Sequence, residues 1–377
     1  MGKNIIYLDN AATTKVGKKV VREMEKFYLK DYGNPSSLHE IGERAQRAIN
    51  DAREKIAGEI NCKLHEIIFT SGSTESNNMA FFGLARGELG RKKRKIIVSA
   101  IEHPSIFAIC EALKKEGFEI KEIGIDKDGL IRTDLLEKEI DENTLLVSIM
   151  HVNNEIGVIQ DISNIGEICR NKGIILHSDC AQSFGKLEID VKNMSIDMIS
   201  AGAHKIGGPK GIGFLYLREG ISIKPIIYGG GQERGLRGGT ENVPGIVGFA
   251  KALELIKDED KDKIKMIRDF FIFELEKIGG KINGSKENRI YNNIHVSFLG
   301  IDGENLLAFL SKKGIYVSAG SACDSKKQKE SRVLRAIGLN KDMIKGGIRI
   351  SLNENISKRD VEYVVNEIKR AVEMLRI

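Results

Sequence analysis

The chain has no apolar run approaching the roughly 18 residues that cross a bilayer, and its first residues lack the basic, apolar and small-residue succession of a signal peptide. A soluble, cytoplasmic protein with no membrane partner is expected. Its five cysteines, at 62, 110, 169, 180 and 323, form no CxxC pair. An odd, scattered set argues against a disulfide framework and against a zinc site, and the seven histidines show no HExxH spacing. Reduced thiols and no metal are expected. A large charge of one sign is also missing: 59 basic residues face 53 acidic ones, a formal +6. That balance is no nucleic-acid signature. Arg91-Lys-Lys-Arg-Lys95 reads as the solvated lead-in to a buried strand, with a tRNA contact as the alternative; no direct contact with nucleic acid is expected.

What is present suffices for a large core. With 377 residues, 41% of them apolar, the chain exceeds one average domain and two are expected. Tyr7-Leu-Asp-Asn-Ala-Ala-Thr-Thr14 reads as a short strand entering a small polar loop. Val20, Met24 and Phe27 then fall at helical spacing, and a charged helix covers roughly 40 to 60. Three apolar strands follow at intervals, around Lys95–Ser99, Leu145–Met150 and Gly173–His177, separated by helical segments. Each delivers polar residues at its C-terminal end: Glu102 and His103, then His151 to Glu155, then Asp179 to Gln182. Such alternation predicts a mainly parallel sheet with a site along one edge. Asp179 stands out, because a carboxylate after an apolar strand is costly to bury without a cation; the alternative is a helix N-cap.

Ile67–Asn78 predicts an apolar strand, a Ser/Gly/Thr turn and a helix beginning near Thr74. The unpaired N–H groups at that start, with the hydroxyls of Ser73 and Thr74, make an anion site or an ordinary cap. Met198–Ser200 and Gly213–Leu217 read as buried strands, and Lys205 lies in the glycine-rich connection between them. A lysine amine becomes a nucleophile toward an aldehyde when a constrained turn holds it away from bulk water, so that its pKa falls below about 10.4. The connection is no phosphate-binding Walker loop, since no Gly-Lys-Ser/Thr closes it. Tyr228–Asn242 is too glycine-rich for regular structure and is expected to be an ordered loop that binds something or crosses a subunit boundary. Lys257–Lys263 is a charge run that marks a solvated hinge, and beyond it the chain reads as α+β, with a last helix from Ser357. Cys323 lies in a Ser/Gly/Lys-rich stretch whose lysines favour thiolate and whose Asp324 opposes it. A reactive lysine, a carboxylate and a histidine at strand ends, an anion site and a thiol together suit pyridoxal 5'-phosphate chemistry.

The sequence resembles the cysteine desulfurases of the NifS/IscS type, within the class V, fold type I pyridoxal-phosphate enzymes. The resemblance rests on nine ordered motifs: residues 7–14 and 70–78, Glu102-His103, His151–Gly157, Asp179–Ser183, Ala203-His-Lys205, Gly229–Thr240, Gly320-Ser-Ala-Cys323 and Ile348-Arg-Ile-Ser351. It implies an α/β protein: a large domain (15–258) with a mainly parallel, seven-stranded mixed sheet flanked by helices, and a smaller α+β domain (1–14 and 259–377) carrying the Cys323 loop. Lys205 would hold the cofactor aldehyde and Asp179 would pair with the pyridine nitrogen. His103 would stack on the ring and move protons, and Gln182 would bond the phenolic oxygen. Thr74 and His204 would hold the phosphate, with Thr240 arriving from the partner subunit of a homodimer. Asn154 and Arg349 would hold the carboxylate of L-cysteine, and Cys323 would take the sulfur. An iron–sulfur scaffold or a tRNA-thiolation enzyme would receive it. The family commonly has Ser or Thr where this chain has Gly202, leaving only a backbone donor there unless Ser73 compensates; Asp324 is a second departure. The competing readings are a selenocysteine lyase, a class V aminotransferase and a non-catalytic sulfur-assembly scaffold.

Overall fold

A computed structural model describes residues 5–319 and 330–375. Thirteen strands are described: β1 (Ile6–Tyr7), β2 (Ile67–Thr70), β3 (Lys95–Ser99), β4 (Glu119–Ile123), β5 (Thr144–Ser148), β6 (Ile175–Asp179), β7 (Met198–Gly202), β8 (Gly213–Leu217), β9 (Lys281–Ile282), β10 (Asn293–Ser297), β11 (Ile315–Tyr316), β12 (Ser318–Ala319) and β13 (Gly347–Ser351). Seven of them form one sheet in the order β2-β8-β7-β6-β5-β3-β4. The pairs from β7 through β6, β5 and β3 to β4 are parallel; β8 runs antiparallel to both β7 and β2. This is the mixed, mainly parallel sheet that the sequence predicts. Its strands β2, β3, β5, β7 and β8 are buried at every position, which is why they are apolar without alternation.

Helices cover both faces and split the core in two. On one face Phe184, Phe214 and Phe249 pack edge to face, with ring centroids 4.9 and 5.6 Å apart for Phe184 against its two neighbours. On the other, Phe81, Leu84 and Ile106 fill the space between the helices Ser73–Ala85 and Pro104–Lys115. A second, antiparallel sheet, β12-β13-β10-β9, has its own apolar cluster with the helices Lys261–Lys277 and Lys358–Leu375. The last helix starts as predicted: Ser357 Oγ accepts from Asp360 N–H (3.2 Å), while Asp360 Oδ2 accepts from Ser357 N–H (2.9 Å). No helix among the described residues is long and apolar enough to cross a membrane.

Two expectations shift. Lys95 is not solvated: as the first residue of a strand flanked on both sides it is buried, and its amine reaches the Glu139 carbonyl (2.6 Å) and the Asp141 carboxylate (3.0 Å). Asp179 does not follow β6 but closes it, so its side chain leaves the sheet at the strand's last position. The charge run at 257–263 is largely exposed, as expected, and its shape is added by the structure: a short turn ends where Asp260 caps the next helix by accepting from Lys263 N–H (2.9 Å).

The glycine-rich segment around 228–242 is anchored by two ion pairs, Arg53–Glu233 and Arg237–Glu75 (2.9 Å). Glu233 (φ 46°) and Arg234 (φ 59°) both sit in the left-handed region, which side-chain-bearing residues seldom occupy. Glu233 is held there by a two-pronged bond from Arg53 (2.8 and 2.8 Å) and by Phe69 N–H (3.1 Å). Removal of a central core ring tests the larger layer: Phe214→Ala is expected to lower unfolding stability by about 3–5 kcal/mol, read as a fall in urea midpoint at unchanged slope.

Candidate active site

A cavity of about 1270 Å³ opens at the C-terminal edge of the parallel strands. Its wall carries Ser73, Thr74, His103, Asn154, Asp179, Gln182, His204, Lys205 and Arg349. Nine predicted site residues therefore converge from both sheets. Gly202 lies behind Ser73, Thr240 is exposed and off the wall, and Cys323 falls outside the described residues.

The lysine is placed by the tight connection the sequence predicts. β7 ends at Gly202, a one-turn helix covers Ala203–Lys205, and the chain returns through β8. Lys205 Nζ donates to the carbonyls of Ala11 (2.7 Å) and Ala12 (2.8 Å). These two carbonyls hold the amine at the cavity wall. Asp179 provides the opposite polarity. Only 4% exposed, it accepts from Ala181 N–H at Oδ1 and from Asn77 Nδ2 at Oδ2, both at 2.9 Å. The helix N-cap reading does not hold, because only a turn follows β6: Asp179 closes that turn through Ala181 N–H and is otherwise a buried carboxylate. Among the described residues no cation pairs with it, so a cationic nitrogen in the cavity would complete it.

The histidines are neutral by environment. His103 caps the helix Pro104–Lys115, and its Nδ1 accepts from Ser105 N–H (3.2 Å), which leaves the ring proton on Nε2. Burial lowers its pKa. Burial, and then the Lys205 charge, push His204 down to about 4; its Nδ1 lies 3.2 Å from the Thr13 hydroxyl. Gln182 Nε2 donates to the Ala11 carbonyl (2.9 Å) and keeps a second N–H for an acceptor.

The anion cradle explains Gly202. Its φ of −143° suits any residue, so flexibility is not the reason for glycine. A Cβ there would lie 2.9 Å from Ser73 Oγ, and one on Gly213 would lie 2.7 Å from the Gly72 Cα. The two glycines let the start of the helix Ser73–Ala85 settle against β7 and β8, with the Ser73 hydroxyl beside position 202. N–H groups of the first turn have no acceptor within their own helix, which makes this corner suit a phosphate.

Sequence reasoning passed over three participants. Asn77, one turn into the helix, steadies Asp179; it stood in plain view beside Thr74. Asp9, read as loop, binds Arg349 Nη2 at 2.8 Å. Glu102 was noted only as the neighbour of His103. It is 3% exposed, its Oε1 accepts from Ser99 Oγ (2.6 Å) and Met150 N–H (2.8 Å), and its Oε2 is buried with no hydrogen-bond partner among the described residues. Burial is the main cause that pushes its pKa up to about 8, with the Asp179 charge adding to it. Glu102 is thus a neutral acid behind the site. Among the described residues no cluster of three His, Cys, Asp or Glu side chains could hold a metal.

Comparison with known proteins places these features in a family. The model for the aminotransferase class-V family matches residues 6–364. The chain is 43% identical to the cysteine desulfurase IscS of Dictyoglomus turgidum over 99% of its own length and 96% of that protein's. Among solved structures it is similar to a NifS-like protein (TM-score 0.92, 38% identity, 98% of this chain and 100% of that one) and to SspA in complex with cysteine (TM-score 0.85, 38% identity, 93% and 99%).

Glu102 generates a test of its own. Its folded pKa of about 8 exceeds the ordinary 4.5, so the native state keeps a proton that the unfolded chain has released. Its contribution to stability is fully present below the lower value and is lost as pH rises through the higher. Stability of the wild type is expected to decline across that window relative to Glu102→Gln, compared by denaturant midpoints. A constant difference between the two proteins would refute the assignment.

Proposed function

We infer from the aminotransferase class-V family, to which this chain belongs, and from its site that it is a cysteine desulfurase, converting L-cysteine to L-alanine and passing the sulfur atom to Cys323. The observation that carries the reading is the convergence on one cavity of the Lys205 amine, the buried Asp179 carboxylate and the Arg349 guanidinium.

The residues fit pyridoxal 5'-phosphate. Lys205 would bind its aldehyde and Asp179 its ring nitrogen; Gln182 would donate to the phenolic oxygen, and Ser73, Thr74 and His204 would hold the phosphate. Bound there, the cofactor supplies an electron-poor ring that takes up the electron pair left when Cα of the substrate loses its proton. The chain's own groups do the rest. Arg349, whose Nη1 donates to the Asn154 carbonyl (2.8 Å), receives the substrate carboxylate beside Asn154. Lys205 Nζ, with two carbonyls as alternative resting places, takes the Cα proton as general base. His103, with its proton on Nε2, faces the cavity as a proton carrier. The Cys323 thiolate takes the sulfur, so that the C–S bond of cysteine breaks, an S–S bond forms at Cys323, and a proton at Cβ completes alanine. Thr240, exposed and off this cavity's wall, fits the site of a second copy in a homodimer. The sulfur passes on to an acceptor protein, an iron–sulfur scaffold or a tRNA-thiolation enzyme, in the cytoplasm.

The purified protein is expected to be yellow, absorbing at about 420 nm, and Lys205→Ala to lose that band. L-cysteine should leave one extra sulfur on the Cys323 peptide by mass spectrometry. Sulfide release by Cys323→Ala at the wild-type rate, with an external thiol present, would show that Cys323 is not the acceptor.

A further inference from the structure

Arg349 is less free than a carboxylate receptor needs to be. It is buried in the wall of the cavity, and a carboxylate already lies against it: Asp9 Oδ1 accepts from Nη2 at 2.8 Å. An acid so placed partly cancels the charge that should attract the substrate. Orientation explains it better than charge. Asp9 is carried on a strap, residues 9–14, laced along β13. Ser351 N–H donates to the Leu8 carbonyl (2.7 Å), Ala11 N–H to Ser351 Oγ (2.8 Å), and Asn10 Nδ2 to the Ser351 carbonyl (2.8 Å). Residues 349 and 351 share a face of the strand, so the strap runs directly past the arginine. Tyr7 closes it, donating its hydroxyl to the Thr13 carbonyl at 2.8 Å.

The guanidinium is thereby held at two corners, Nη2 on Asp9 and Nη1 on the Asn154 carbonyl (2.8 Å). Among the described residues its Nε is buried without an acceptor. A flat fork pinned at two points has one orientation to offer. The strap's far end meets the other half of the site: Ala11 and Ala12 accept from Lys205 Nζ, and Thr14 Oγ1 donates to the His204 carbonyl (2.9 Å).

We propose that Asp9 is a positioning residue that sets the plane of the Arg349 guanidinium for the α-carboxylate of the substrate. The proposal rests on the reading of Arg349 as the carboxylate receptor. Because the contact persists through the reaction, its loss moves KM and leaves kcat in place.

The experiment uses the cofactor-loaded protein and two ligands: L-cysteine, and cysteamine, which has the same thiol and amine but no carboxylate. Asp9→Ala is expected to raise KM for L-cysteine on the order of tenfold with little change in kcat, and to leave cysteamine binding, followed by absorbance, unchanged. Asp9→Asn keeps an acceptor oxygen in place and should restore a KM at or below that of the wild type. Asp9→Glu keeps the charge but moves the oxygen, and should raise KM as the alanine variant does; it decides the matter if the alanine variant does not fold. An unchanged KM in Asp9→Glu, an equal loss of cysteine and cysteamine binding, or failure of asparagine to rescue overturns the proposal. Arg349→Ala separates the layers: a normal KM there sinks the reading of Arg349 itself, whereas a raised KM there with a normal one in Asp9→Glu sinks only the role of Asp9.

Discussion

Charge buried without its complement is the constraint around which this molecule is arranged. Asp179 closes a central strand with hydrogen-bond donors at both oxygens and, among the described residues, no cation. Glu102, a short distance along the same sheet edge, meets the same problem by staying protonated. The two carboxyls differ in their surroundings: among the described residues Glu102 Oε2 has no hydrogen-bond partner, whereas each oxygen of Asp179 accepts a hydrogen bond. A second negative charge so near would compete for any cation drawn to the first. The histidines obey the same rule with opposite sign, kept neutral by burial and by the lysine that stands among them.

Backbone packing supplies the positions that this electrostatics needs. The parallel strands end together, so Glu102, Asn154, Asp179 and the Lys205 turn meet at one edge although they are far apart in sequence. Gly202 and Gly213 lower the helix Ser73–Ala85 onto that edge, bringing hydroxyls and N–H groups to the corner opposite the carboxylate. The antiparallel sheet contributes Arg349 from the middle of β13, at a position paired with His295 on one side and Ser318 on the other. A strand flanked on both sides is a stiff mount, suited to a residue that must present a planar fork.

Much of this was legible in the chain. Apolar strands at regular intervals, each ending in polar residues, give a parallel sheet with a site at its edge, and nine of the predicted residues line the cavity. Lys95 was misread because charge suggests solvent, while its strand, hydrogen-bonded on both sides, decides otherwise. Asp9 was passed over because its partner lies on the last strand, and no local pattern signals a contact between two chain ends. Glu102 was underestimated because a carboxyl's protonation is a property of its burial, which no spacing records. Ser73 was named beside Gly202 from the sequence, but that a side chain at 202 would collide with its hydroxyl is visible only in the packing.

The strap at residues 9–14 bears on how the molecule is made. Its bonds to Arg349 and Ser351 join residues about 340 positions apart, among the most distant contacts a chain of this length can form. Residues 9–14 must therefore wait until β13 has been made before they can dock, and loop closure on that scale is slow. The catalytic pocket is complete only once this pairing has formed, since the strap brings both Asp9 to Arg349 and the Ala11 and Ala12 carbonyls to Lys205.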